Sequence, residues 1–173
     1  ETDVVIRQIE VLKTVPVDFI SVTKGAGGSL RGGTLPIAHL TQSTHGVASL
    51  AHFTCRDYTI EEIENAMMDH FYFGVHNVLA LRGDAPDGLP NYFKPAEGRH
   101  SFAWQLVDQI KKLNQGQYLV REGYDTKKKK SADERRTAAQ STNFCIGVAA
   151  HPDHEPFEQS IDYFSRKVEM GAD

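Results

Sequence analysis

The sequence predicts an α/β chain whose parallel strands are joined by crossover helices, and three observations carry that reading. Four short apolar runs, 17–23, 47–55, 75–81 and 144–150, alternate with segments of helical apolar spacing. Polar residues follow each run, as they do where ligands bind beyond the carboxyl ends of parallel strands. The run Val75–Leu81 stops abruptly at Arg82-Gly83-Asp84, a cation, a glycine and a carboxylate followed by turn residues.

The elements follow in order. Val5, Ile9 and Leu12 recur at helical spacing and Pro16 closes that helix. The strand Val17–Thr23 leads into Lys24-Gly25-Ala26-Gly27-Gly28-Ser29, whose glycines let backbone N–H groups approach a ligand closely. Gly33–Thr44 reads as a short helix interrupted near Pro36. After the strand Val47–Cys55, Thr59 with Glu62 three residues on forms a capping box. Ile63, Ala66, Met67 and Phe71 give that helix its buried stripe, and Gly74 stops it.

Beyond Asp84, residues 85–99 read as a loop, and Phe102, Leu106, Val107, Ile110 and Leu113 define another amphipathic helix. Residues 114–143 break the rhythm with Lys127 to Lys130 in a row and further charge at Asp133, Glu134, Arg135 and Arg136. Without interleaved aromatics, this stretch reads as a solvated insertion rather than a nucleic-acid arm. Phe144–Ala150 resumes the strands, and a last helix turns Ile161, Phe164 and Val168 inward before Gly171. Gly171-Ala172-Asp173 looks like a turn entering another strand.

With 173 residues, 40% hydrophobic and 24% charged, the chain suits a single globular domain over 1–173. A (β/α)8 barrel takes about 250 residues, so the alternatives are an open sheet or an incomplete slice of a barrel. The net charge of −4 provides no global field for nucleic acid or an anionic membrane. No apolar run approaches a bilayer span and the first residues hold no signal h-region, so the expected location is cytoplasmic. Cys55 and Cys145 read as reduced core thiols.

The strand ends collect Thr23, then His52 and Thr54, then Arg82 and Asp84, then His151, Asp153 and His154. Their coincidence argues for one shared site. His52, Asp84, His151 and His154 have the chemistry of zinc ligands in a barrel hydrolase, although no H-x-H pair is present. There is neither a nucleophile elbow nor a dinucleotide fingerprint. A folded unit that binds a ligand without catalysis is the remaining alternative.

The stretches Ser21–Ser29, Ala51-His52-Phe53-Thr54-Cys55, Leu81-Arg82-Gly83-Asp84 and Arg166–Asp173 closely resemble, in order, those of the methylenetetrahydrofolate reductase family. The resemblance implies a (β/α)8 TIM barrel that binds FAD at its C-terminal face. There a hydride passes from NADH or NADPH to the flavin and then to 5,10-methylenetetrahydrofolate, giving 5-methyltetrahydrofolate. It implies flavin contacts at Thr23, Ala26, His52, Arg82, Gly83, Asp84 and Ala103, and the pair Arg166 and Lys167 near the FAD phosphates. His151 and His154 fall in the loop that completes the flavin site. Asp84 matches the aspartate near flavin and folate, and Thr23 shares the substrate side; no metal site is implied.

The chain departs from the family pattern at three places. His151 stands where a tyrosine is usual, Lys24 replaces an aromatic, and Ser160 replaces an aspartate. The family's general-acid glutamate belongs to a strand expected before Glu1, and a Thr-Gln strand is expected after Asp173. The 173 residues therefore read as the middle of a longer enzyme. The implied partners are a folate and a nicotinamide nucleotide, and open sheet edges favour a homo-oligomer.

Overall fold

The computed structural model describes residues 2–26, 29, 32–56, 58–85, 97–120, 140–153 and 155–173. The charged run at 127–136, Gly27, Gly28 and His154 lie outside these residues. The elements run α1 (Thr2–Leu12), β1 (Phe19–Val22), α2 (Thr34–Ser43), β2 (Ala48–Thr54), α3 (Ile60–Tyr72), β3 (Asn77–Leu81), α4 (Ala103–Asn114), β4 (Cys145–Val148) and α5 (Phe157–Glu169).

The four strands form one parallel sheet in the order β1-β2-β3-β4, so each β-α-β crossover places successive strands side by side. Val22, Ala51, Val78 and Ile146 share one row of the register. Alternation along β2 sends Ser49, Ala51 and Phe53 into the helix layer and leaves Leu50 and His52 half-buried on the opposite face. Phe53, Val78, Ala80 and Ile146 pack there with Ile63 and Met67 of α3 and with Leu106, Val107, Ile110 and Leu113 of α4. Burial of each large apolar side chain contributes roughly 1.5–3 kcal/mol, so this cluster holds the helices on the sheet. At the outer edge of β4, the Asp173 N–H donates to the Ile146 carbonyl at 3.0 Å, so the chain returns to the sheet after α5. This alternation matches the expected slice of a (β/α)8 barrel. No helix among the described residues is long and apolar enough to cross a membrane.

The capping box is present: the Glu62 N–H donates to Thr59 Oγ1 at 3.2 Å, and the Thr59 N–H donates to Glu62 Oε2 at 2.7 Å. Four expectations need correction. Pro36 does not interrupt α2, because it sits in the first turn, where backbone N–H groups have no acceptor within the helix. Cys145 is exposed, not a core thiol, because it begins β4; Cys55 is buried, and both are free thiols. Leu12 is exposed, and Ile9 is the residue that α1 buries. In α5, Ile161 and Val168 are 50% and 51% exposed and Phe164 is exposed as well, whereas Lys167 is only 8% exposed. The helix docks through Tyr163, which meets Trp104 of α4, and through Lys167, which bonds to the end of β4. Its apolar stripe is thereby rotated away from the sheet.

Candidate functional site

The carboxyl ends of the strands open onto a cavity of about 650 Å³. β1 contributes Thr23, β2 contributes His52 and Thr54, and β3 contributes Leu81, Arg82, Gly83 and Asp84. β4 contributes Ala149, Ala150 and His151; the start of α4 and the inner face of α5 close the wall. Parallel pairing explains the convergence, because it points every strand's C-terminus at the same side.

Several of the lining groups are held by local contacts. Thr34 Oγ1 donates to the Thr23 carbonyl at 2.8 Å, which fixes the turn after β1. His52 Nε2 lies 2.7 Å from Ser21 Oγ across neighbouring strands, and burial lowers its pKa, so the ring is neutral in this setting. Lys167 Nζ donates to the Ala149 carbonyl at 2.6 Å. Burial lowers the Lys167 pKa, and the Arg82 charge adds to the effect. An anion entering between these two cations would relieve that repulsion. Ala103 opens α4 and lines the cavity, so the positive end of the helix borders it. Gln105 Oε1 accepts the N–H groups of Ser101 and Phe102 at 2.8 and 3.0 Å, which caps that end.

Of the residues singled out from sequence, Thr23, Ala26, His52, Arg82, Gly83, Asp84, Ala103, His151 and Lys167 line the cavity. Arg166 is not among the described lining residues. Its guanidinium pairs with Asp162 at 3.0 Å and lies 5.2 Å from the Trp104 ring, because consecutive helical residues point about 100° apart. Ser160 bonds its hydroxyl to the His151 carbonyl, tying α5 to the loop after β4. Lys24 turns its ammonium over Phe53, 4.1 Å from the ring centroid, and donates to the Tyr58 hydroxyl at 3.0 Å. Among the described residues, no three His, Cys, Asp or Glu side chains gather as a metal cage.

The structure adds an aromatic wall that the apolar spacing of the sequence does not reveal. Phe102 and Trp104 stack with centroids 4.0 Å apart, and Tyr163 lies 5.5 Å from Trp104. All three line the cavity. Trp104 was the available signal, as the chain's single tryptophan and a residue outside the apolar stripe of its helix.

The family model described as methylenetetrahydrofolate reductase matches residues 1–173. The chain belongs to this family. A rice protein named probable methylenetetrahydrofolate reductase (NADH) is 34% identical over 158 residues, covering 90% of this chain and 24% of that protein. The 5,10-methylenetetrahydrofolate reductase of Escherichia coli is 27% identical over 170 residues, covering 96% of this chain and 46% of that protein. Methylenetetrahydrofolate reductase 2 of Saccharomyces cerevisiae is 28% identical over 162 residues, with 90% and 22% covered. This member of the methylenetetrahydrofolate reductase family thus spans less than half the length of these relatives.

Proposed function

We propose that this chain forms the flavin-holding part of a methylenetetrahydrofolate reductase that binds FAD in the 650 Å³ cavity. The observation that carries the reading is the donor set around that one space: the cations Arg82 and Lys167, the Asp84 carboxylate at the mouth, and the aromatic wall. This chemistry suits a flavin dinucleotide. Arg82 and Lys167 provide charge-assisted donors for a diphosphate. Phe102, Trp104 and Tyr163 provide apolar area and π faces for a planar base, on the side where Ser160 departs from the family pattern. His151 lies on the same side, where its carbonyl accepts from Ser160, and Arg166 stands one helical position outside the cavity.

When bound, FAD supplies hydride transfer from a nicotinamide nucleotide to 5,10-methylenetetrahydrofolate. Asp84 holds a fixed negative charge at the cavity mouth, which disfavours added electron density nearby and favours a cationic substrate form. His52, kept neutral by burial and oriented by Ser21, offers a hydrogen bond without adding charge. Thr23 shares the folate side with Asp84. The plant relatives are named for NADH, which makes NADH the first donor to test.

Titration of the intact protein with FAD tests this reading. Binding should produce flavin absorbance near ~450 nm on the purified protein. Lys167→Met should weaken the affinity by about tenfold or more, the effect of losing one charge-assisted contact. An intact, folded protein that takes up no FAD would overturn the proposal.

A further inference from the structure

We propose that Arg56 is a positioning residue, a buried guanidinium that clamps the loop after β1 to the loop after β3 and so fixes Asp84 at the cavity mouth. Its functional consequence rests on the reading of Asp84 given above; the clamp itself rests on contacts alone.

Arg56 is 5% exposed and lies two residues beyond β2. The β2–β3 pairing runs past both strands to reach it. The Cys55 N–H donates to the Leu81 carbonyl and the Arg56 N–H to the Arg82 carbonyl, each at 3.0 Å. The two arms of its guanidinium then separate. Nη1 donates to the Asp84 carbonyl, and Nη2 donates to the Ser29 carbonyl at 3.1 Å. One planar cation thus bridges the glycine-rich loop and the Arg82-Gly83-Asp84 turn.

Both loops are shaped to approach it. A Cβ on Gly83 would lie 3.1 Å from Arg56 Cβ, and one on Gly25 would lie 3.3 Å from Nη2 and 2.6 Å from the Ser29 carbonyl. A side chain at Gly83 would crowd the base of the Arg56 side chain, and one at Gly25 would crowd its guanidinium. Arg56 is not among the described residues that line the cavity, so it acts through the residues it holds. A lysine cannot replace it, because a single ammonium on a flexible stem lacks the rigid fork that spans two separate carbonyls.

The test uses the intact protein with Arg56→Lys and Arg56→Met, each alone and combined with Asp84→Asn. Backbone hydrogen exchange at residues 25, 26, 29 and 82–85 should accelerate by about tenfold or more in both single variants, while β2 and β3 amides remain protected. Asp84→Asn should raise the flavin reduction potential in the wild-type background and raise it by less than half as much in either Arg56 background. Wild-type exchange in Arg56→Lys, or a full-sized Asp84→Asn shift in that background, would overturn the clamp. Should Arg56→Met fail to fold, Arg56→Lys decides alone. A protein that binds no flavin would defeat the functional reading, whereas the exchange measurement would still decide the clamp.

Discussion

Replacing Gly83 with alanine tests how tightly the turn carrying Asp84 is seated. Gly83 has φ +95°, where an L side chain is strained by roughly 1–2 kcal/mol. The added methyl would also meet Arg56 Cβ at 3.1 Å, Thr54 Cβ at 3.2 Å and Thr54 Cγ2 at 3.3 Å. Thr54 is buried in β2 and Arg56 is held by its backbone and guanidinium bonds, so neither neighbour gives way easily. Such overpacking costs typically about 1–3 kcal/mol. Alanine also restricts the unfolded chain, which offsets roughly 0.4–1 kcal/mol. The net loss is about 1–5 kcal/mol, which lowers the melting temperature by about 2–20 °C for a domain of this size.

Gly46→Ala supplies the control, because Gly46 has φ +69° and no heavy atom within 4 Å of the added methyl. It carries the backbone strain without the contact. Thermal melts of the two variants should differ by the contact contribution, with Gly83→Ala the less stable by about 1–3 kcal/mol. Equal melting temperatures would refute the close approach of Gly83 to Arg56 and Thr54.

Acidification should destabilise the fold. Burial lowers the pKa values of His52, His70 and His100 below 6.5 in the folded chain, so the unfolded chain binds more protons as the pH falls through that region. Their contribution is fully present above about pH 6.5 and is lost as the pH drops through the folded values. A melting temperature that stays level or rises between pH 7.5 and 5.5 would contradict it. The two thiols should also differ in reactivity. Burial pushes Cys55 up to about 11, whereas Cys145 is exposed. A disulfide reagent should modify Cys145 quickly and Cys55 only on unfolding. Rapid labelling that survives Cys145→Ser and disappears with Cys55→Ser would show the assignment reversed.

Features set by neighbouring residues were legible in the sequence. The Thr59–Glu62 capping box needs only its own four residues, and the strands announced themselves by short apolar runs. Their parallel order followed from the intervening helices, and the site followed from the polar residues after each run. Questions of direction were not legible. The spacing of Ile161, Phe164 and Val168 identifies an apolar face but does not say which neighbour covers it. The adjacent pair Arg166 and Lys167 cannot both face the cavity, and only packing of Tyr163 against Trp104 selects Lys167. The reach of Arg56 to two loops depends on strand register and glycine contacts that no local pattern encodes.

The role proposed for the Asp84 carboxylate is to favour hydride delivery to folate. Stopped-flow measurement of both half-reactions in the intact protein with Asp84→Asn tests it most directly. Folate reduction should slow by about 10²-fold, as expected when one preorganised electrostatic partner is lost, while flavin reduction by the nicotinamide nucleotide slows far less. Equal slowing of the two half-reactions, or no slowing of either, would rule out this role for Asp84.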